Sequence, residues 1–444
     1  MSGIIGIYSK ENNDIPQITY YGLYALQHRG QVSSGMAINN NGFIDYHKGF
    51  GLIHDVFSQE LFEWFRGNIA VGHVRYGAYH EGERINNILP LTCGFKTGAL
   101  ALALDGRIVN AAQIRKKLIK EGVLFQSELD AEVLARLIAH YGHMPFEEAV
   151  LKAIAEIKGV YSLVIMTQEQ LIGARDPFGL KPLSLGKFRD DYIISSESCA
   201  FDTIGAEFIR DIEPGELISI DQKGIRVLDK KPKEKSHCLF EFIYFARPDS
   251  YIDGRSVYRA RVEAGKQLYR EYPTEADVVI GAPDSGIVAA IGYAEESKIP
   301  YGEGLIKNKY IGRTFIQPTQ QLRELGVKIK LNALRETIKG KRVVLVDDSI
   351  VRGTTIKRTV RILREAGAKE IHVRVASPPV TNSCHLGMDT PGKENLIAAN
   401  MTVEEIKKEI GADSLYYLSL EGLIKAIGEE MGFCTGCIDG NYPV

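Results

Sequence analysis

At 444 residues, 45% of them hydrophobic and 25% charged, the chain has the size of two or three domains and an ordinary globular composition. Its 54 basic residues against 56 acidic ones leave a formal charge of −2, which excludes a whole-chain basic field for nucleic acid or membrane. Met1-Ser2-Gly3-Ile4-Ile5-Gly6-Ile7-Tyr8 lacks the basic flank and longer apolar core of a signal peptide. No apolar run approaches the ~20 residues of a membrane span, so a cytoplasmic location is expected.

The first half is rich in short β-prone runs, at residues 4–8, 69–75, 99–104 and 160–167, separated by turns bearing Gly or charge. Among them, Val133, Leu134, Leu137 and Ile138 share one face of a helix over 130–140, with Asp130 as its expected N-cap. This mixture predicts α+β layers rather than alternating βαβ units. Asp229-Lys230-Lys231-Pro232-Lys233-Glu234-Lys235-Ser236 is charged and nearly devoid of apolar side chains, which divides the chain into domains 1–229 and 230–444.

Beyond the boundary the rhythm changes. Val278-Val279-Ile280 leads through Gly281-Ala282-Pro283-Asp284-Ser285-Gly286 into a helical pattern over 287–296. Val343-Val344-Leu345-Val346 leads through residues 347–355 into a second helix with Ile356, Val360 and Leu363 on one face. Gly367 is the expected end of that helix, and residues 371–375 alternate like a strand. This succession predicts an α/β domain with a doubly wound parallel sheet, whose ligands sit at the carboxyl ends of the strands.

Val343 to Val346 read as a buried strand ending in two adjacent carboxylates, Asp347 and Asp348, which are costly there without a partner. Ser349-Ile350-Val351-Arg352-Gly353-Thr354-Thr355 then opens a helix, where free N–H groups and hydroxyls make an anion site. Carboxylates for a ribose diol and amides for its 5′-phosphate describe one phosphorylated sugar. The same spacing also suits a plain βα turn in which Asp and Thr act only as caps.

The whole pattern resembles the signature by which type I phosphoribosyltransferases bind 5-phosphoribosyl-1-pyrophosphate (PRPP). Residues 238–250, 283–286, 304–318 and 432–437 extend the likeness, and from Gly3 to Val444 the chain resembles the glutamine PRPP amidotransferase family. The resemblance implies an N-terminal Ntn-hydrolase-like αββα domain and a C-terminal phosphoribosyltransferase domain serving the first committed step of purine synthesis. It places Asp347 and Asp348 on the ribose hydroxyls and Ser349, Arg352, Gly353, Thr354 and Thr355 on the 5′-phosphate. Asp284, Ser285 and Gly286 then hold pyrophosphate, and Mg²⁺ is expected at Asp347, Asp348 and Ser285. A loop over 307–317 closes on PRPP with Lys307, Lys309 and Arg313. A homotetramer and purine nucleotide effectors are also implied.

Cys434-Thr435-Gly436-Cys437 alone reads as a metal clip or a redox dithiol. The resemblance assigns Cys238, Cys384, Cys434 and Cys437 to a 4Fe–4S cluster, leaving Cys93 and Cys199 as buried structural thiols. It also implies a glutamine pocket in which Arg75 grips the carboxylate and Asp130 the amino group. Three positions depart from the family pattern. Ser2 stands where the nucleophilic cysteine is expected, Leu104-Asp105-Gly106 replaces His-Asn-Gly of the oxyanion hole, and Gly77 replaces a hydroxyl residue. A carboxylate at Asp105 opposes a developing oxyanion, and losing one donor there costs ~10²–10³ in rate. A transferase using ammonia or another amine is expected, with glutamine hydrolysis lost. The alternatives are a non-catalytic PRPP or nucleotide sensor and a glutamine-dependent enzyme acting through Ser2.

Overall fold

The structure is a computed structural model describing residues 1–11, 14–77, 84–96, 98–308 and 331–444. Among these, the first half forms two antiparallel sheets. One contains β1 (Ser2–Tyr8), β2 (Ser33–Asn40), β3 (Phe43–Phe50), β4 (Ile69–Arg75), β9 (Ser184–Phe188), β10 (Asp191–Ser195) and β11 (Glu207–Asp211), in the order β11-β9-β10-β1-β4-β2-β3. The other runs β13-β12-β8-β7-β6-β5, from β5 (Leu91–Phe95), β6 (Gly98–Ile108), β7 (Gly159–Met166), β8 (Leu171–Arg175), β12 (Glu216–Asp221) and β13 (Gly224–Lys230).

Side-chain alternation explains the layers. Along β1, Ile4 and Tyr8 meet Ala101, Ala103 and Val164 of the second sheet, whereas Ile5 and Ile7 pack under α1 (Ile15–Ala25) with Leu23. The outer face of the second sheet is covered by α2 (Ala111–Lys120), α3 (Asp130–His140) and α4 (Phe146–Glu156), through Leu118, Leu134 and Val150. Helix, sheet, sheet and helix are therefore stacked in that order. In one detail the expectation fails. Leu129, not Asp130, is the N-cap of α3, and the Asp130 carboxylate instead accepts the Ile108 N–H at 3.0 Å.

The second half carries a parallel sheet of β14 (Val278–Gly281), β15 (Arg342–Asp347), β16 (Glu370–Val375) and β17 (Ser414–Tyr417), in that spatial order. Burial on both faces accounts for its unbroken apolar runs. Val279, Val344 and Val346 pack beneath α5 (Val257–Glu271) and α6 (Gly286–Ser297). Ile280, Val343 and Leu345 face α7 (Thr354–Glu365). Cys93 and Cys199 are both buried. No helix among the described residues is long and apolar enough to cross a membrane.

Candidate active site

β15 delivers Asp347 at its carboxyl end, and the next residues turn toward the amino end of α6. There Ser285 Oγ donates to Asp348 Oδ1 at 2.5 Å, and Ser349 Oγ donates to Asp348 Oδ2 at 2.8 Å. Burial, reinforced by neighbouring Asp348, raises the Asp347 carboxyl well above its ordinary range. Two adjacent carboxylates suit a divalent ion and a diol, the donor set expected for magnesium and ribose. Gly286 is required by closeness, since a Cβ there would stand 2.6 Å from Val346 O and 3.0 Å from Asp347 Cα.

Gly353, at φ +77°, turns the chain into α7, whose first residues are Thr354 and Thr355. Arg352, Gly353, Thr354 and Lys357 line one part of an open cleft of about 440 Å³, whose other lining includes Glu394, Asn395, Asn400 and Glu409. The helix amino end and the cavity make this a suitable place for a phosphate. Lys307 pairs with Asp284 at the mouth of the same strand edge. Lys309 and Arg313 lie outside the described residues.

In the first half, β1 and β4 place Ser2 opposite Arg75, and β6 brings Asp105 to the same end of the adjoining sheet. The Ser2 N–H donates to Asp105 Oδ1 at 2.7 Å. Asp105 is thus turned inward, toward the chain's start. Arg29 supplies an N–H to Asp105 Oδ2 at 3.3 Å, and Lys181 Nζ stands 4.0 Å from Oδ1. Burial works to raise the Asp105 carboxyl, but Lys181, the N-terminal ammonium, Arg29 and the Ser2 N–H together hold it below its ordinary value.

Arg29 is the hub of this cluster. It also donates to Ser2 O at 2.9 Å, to Glu197 Oε1 at 2.5 Å and to both oxygens of Glu241 at 2.8 and 2.9 Å, and lies over the Phe245 ring. His28 Nε2 completes the set at 2.7 Å from Glu197. Arg29, Lys181 and Glu197 are not among the residues the sequence singles out, because the partners each one meets lie far away along the chain.

Asp130, expected to hold an amino group, is engaged by the Ile108 N–H and by Arg107 Nε at 3.4 Å. Gly106 and Gly77 have φ of +135° and +134°. A Cβ on Gly387 of the second half would lie 3.0 Å from the Gly106 backbone, so two chain segments touch there without side chains.

The four assigned thiols come from segments far apart in sequence. Cys238 pairs across a short parallel ladder with Cys434, and both share an apolar cluster with Cys384, Phe178 and Leu180. Burial is the main cause raising the thiols of Cys238, to about 12, and Cys434, to about 11. The carbonyl of Cys437 accepts the Thr381 and Asn382 N–H groups, which ties the last segment to the 384 loop. Four thiols in one neighbourhood suit a soft metal or an iron–sulfur group by donor chemistry. Among the described residues, however, no group of three or more His, Cys, Asp or Glu is arranged to hold a metal ion.

Comparison with known proteins agrees with the two-part reading. Residues 86–203 match the model of a glutamine amidotransferase domain, and residues 249–378 that of a phosphoribosyl transferase domain. The chain is 49% identical to the amidophosphoribosyltransferase of Bacillus subtilis over 99% of its length and 94% of the relative's. It is 48% identical to that of Methanothermobacter thermautotrophicus over the same shares. The solved glutamine PRPP amidotransferase of B. subtilis, complexed with ADP and GMP, superposes with a TM-score of 0.93 at 48% identity, covering 99% of this chain and 97% of that one. A pentosyltransferase of purine biosynthesis is the result, and the chain belongs to the amidophosphoribosyltransferase family.

Proposed function

We propose that the enzyme transfers the phosphoribosyl group of PRPP to ammonia, or to another amine delivered to it, and that its glutaminase site no longer hydrolyses glutamine. The observation that carries this reading is the inward-facing carboxylate of Asp105, bonded to the Ser2 N–H where the family pattern has an amide for the oxyanion. In this reading, Asp347 and Asp348 orient the ribose hydroxyls, and Ser349 with the Arg352–Thr355 turn receives the 5′-phosphate. Asp284, Ser285 and Gly286 receive the pyrophosphate. Lys307, Lys309 and Arg313 bring positive charge to the leaving group as water is excluded from an oxocarbenium-like ribosyl centre. Asp347, Asp348 and Ser285 would hold magnesium, which would supply further neutralisation of the pyrophosphate. Cys238, Cys384, Cys434 and Cys437 would hold a 4Fe–4S cluster that ties distant segments together.

Arg75 and Asp130 are retained from an amino-acid pocket lined by Gly106. Purine nucleotides are taken as effectors, supported by the ADP and GMP in the B. subtilis relative, and a homo-oligomer as the working assembly. The boundary between domains 1–229 and 230–444 is taken from the charged stretch 229–236, which begins in the last two residues of β13 (Gly224–Lys230).

A second reading, glutamine as the nitrogen donor, is favoured by near-half identity to relatives that carry the amidotransferase name. Anaerobic pyrophosphate release from PRPP and magnesium separates the two. Turnover with ammonium chloride and none with glutamine is expected. Equal turnover with both would establish the second reading.

A further inference from the structure

We infer that Arg261 is a positioning residue for phosphoribosyl transfer, which holds the Asp348 carboxylate in place through one buried water. The inference deepens the PRPP reading of Asp348 and rests on it. The Asp348 carboxylate is short of firm partners. It belongs to a residue 7% exposed and takes neutral hydroxyls, from Ser285 at 2.5 Å and Ser349 at 2.8 Å. An ionised carboxylate has room for about four hydrogen bonds, and hydroxyl protons rotate, so these two hold its plane loosely. Adjacent Asp347, whose carboxyl is raised well above its ordinary range by burial and by Asp348, brings no positive charge.

Arg261, on α5, is the buried cation that faces it. The residue is 5% exposed, and its guanidinium donates from Nε to Phe242 O at 2.7 Å and from Nη2 to Ala246 O at 2.8 Å. Two backbone carbonyls thus fix the group, and among the described residues Nη1 has no protein acceptor. Arg261, Ser285 and Asp348 together line a cavity of about 10 Å³ whose other side chains are apolar, Phe242, Ala289 and Ala376 among them. Such a space holds about one water, and three polar side chains supply the partners that a buried water needs.

Asp348 is also the carboxylate that Arg261 has left to serve. Burial lowers the Arg261 pKa, while Asp348, Glu197, Glu241 and Tyr244 oppose that, in this order. Glu197 already receives Arg29, His28 and Ser250, and Glu241 receives Arg29 at both oxygens. A bridging water is nearly as good as a direct bond, so a guanidinium anchored to the backbone sets the direction of Asp348 before PRPP arrives. Arg261 thus acts on the sugar through Asp348.

The test is a double-mutant cycle on PRPP binding in the presence of magnesium, followed by isothermal titration calorimetry on the full chain. Wild type, Arg261→Met, Asp348→Asn and the double variant are compared. Arg261→Met is expected to weaken PRPP binding at least ~10-fold when Asp348 is present and less than ~2-fold when residue 348 is Asn. A merely structural role would weaken both backgrounds alike. Equal effects in the two backgrounds, or a loss below ~3-fold with Asp348 present, overturn the inference. Asp348→Asn that leaves PRPP binding unchanged removes the ribose reading of Asp348 and the inference with it. Asp348→Asn that weakens binding while Arg261→Met does not removes the inference alone. Should Arg261→Met not fold, or Asp348→Asn bind no measurable PRPP, a crystal structure of the unaltered enzyme decides. An ordered water within ~3.2 Å of both Arg261 Nη1 and an Asp348 oxygen is expected, and a dry cavity overturns the claim.

Discussion

Arg29 shows how much one side chain can organise. Its guanidinium serves Ser2, Asp105, Glu197 and Glu241 while remaining fully buried. Removing one partner strands charge in a low-dielectric interior, so Glu197→Gln is expected to cost about 3–5 kcal/mol in urea unfolding at pH 7. Burial opposes ionisation of Glu197, yet His28 and Arg29 depress its pKa below the ordinary value, as Lys181 and Arg29 do for Asp105. A depressed carboxylate stabilises above its unfolded pKa, ~4, and loses that contribution as pH falls through the folded value. Wild-type urea midpoints should therefore drop steeply below pH ~4, and those of Glu197→Gln less so. None of this was legible beforehand. Asp105 lies 76 positions from Arg29, and no local pattern announces a partner at that distance. The substitution itself was visible in Leu104-Asp105-Gly106, but the direction in which its carboxylate points was not.

At the scale of elements, the strand-to-helix turns decide what the second half can hold. Because a Cβ at Gly286 would press on Val346 O and Asp347 Cα, Gly286→Ala must displace the carboxylate pair. Loss of at least ~10-fold in kcat/KM for PRPP is expected with ammonium as co-substrate, with far-UV circular dichroism unchanged. For the thiol segments, anaerobic purification should yield bound iron, and Cys384→Ser should lose that iron and lower the Tm. These elements were the most readable part of the sequence. Val343 to Val346 could only be a doubly covered strand, and β15 and α7 appear where the apolar runs placed them. The α3 cap was misassigned because Asp130 found a long-range partner in the Ile108 amide, which outcompetes local capping.

At the scale of the molecule, the two halves are joined by buried charge. Glu241 reaches Arg29, while Arg175 donates to both oxygens of Asp253, which also receives His237. Arg29→Met is expected to separate the calorimetric unfolding of the halves into two transitions where wild type shows one. The parallel and antiparallel halves were each foreseeable from their periodicity, but the joint was not, since its members are scattered over both. The seam between Gly106 and Gly387 adds a different restriction. Backbone meets backbone there, so no side chain remains through which one half could adapt to a new neighbour. The two halves are consequently inherited as a matched shape. A chimera taking either from a distant relative must import both edges of the seam, or it will begin life with a misfit that no single substitution repairs.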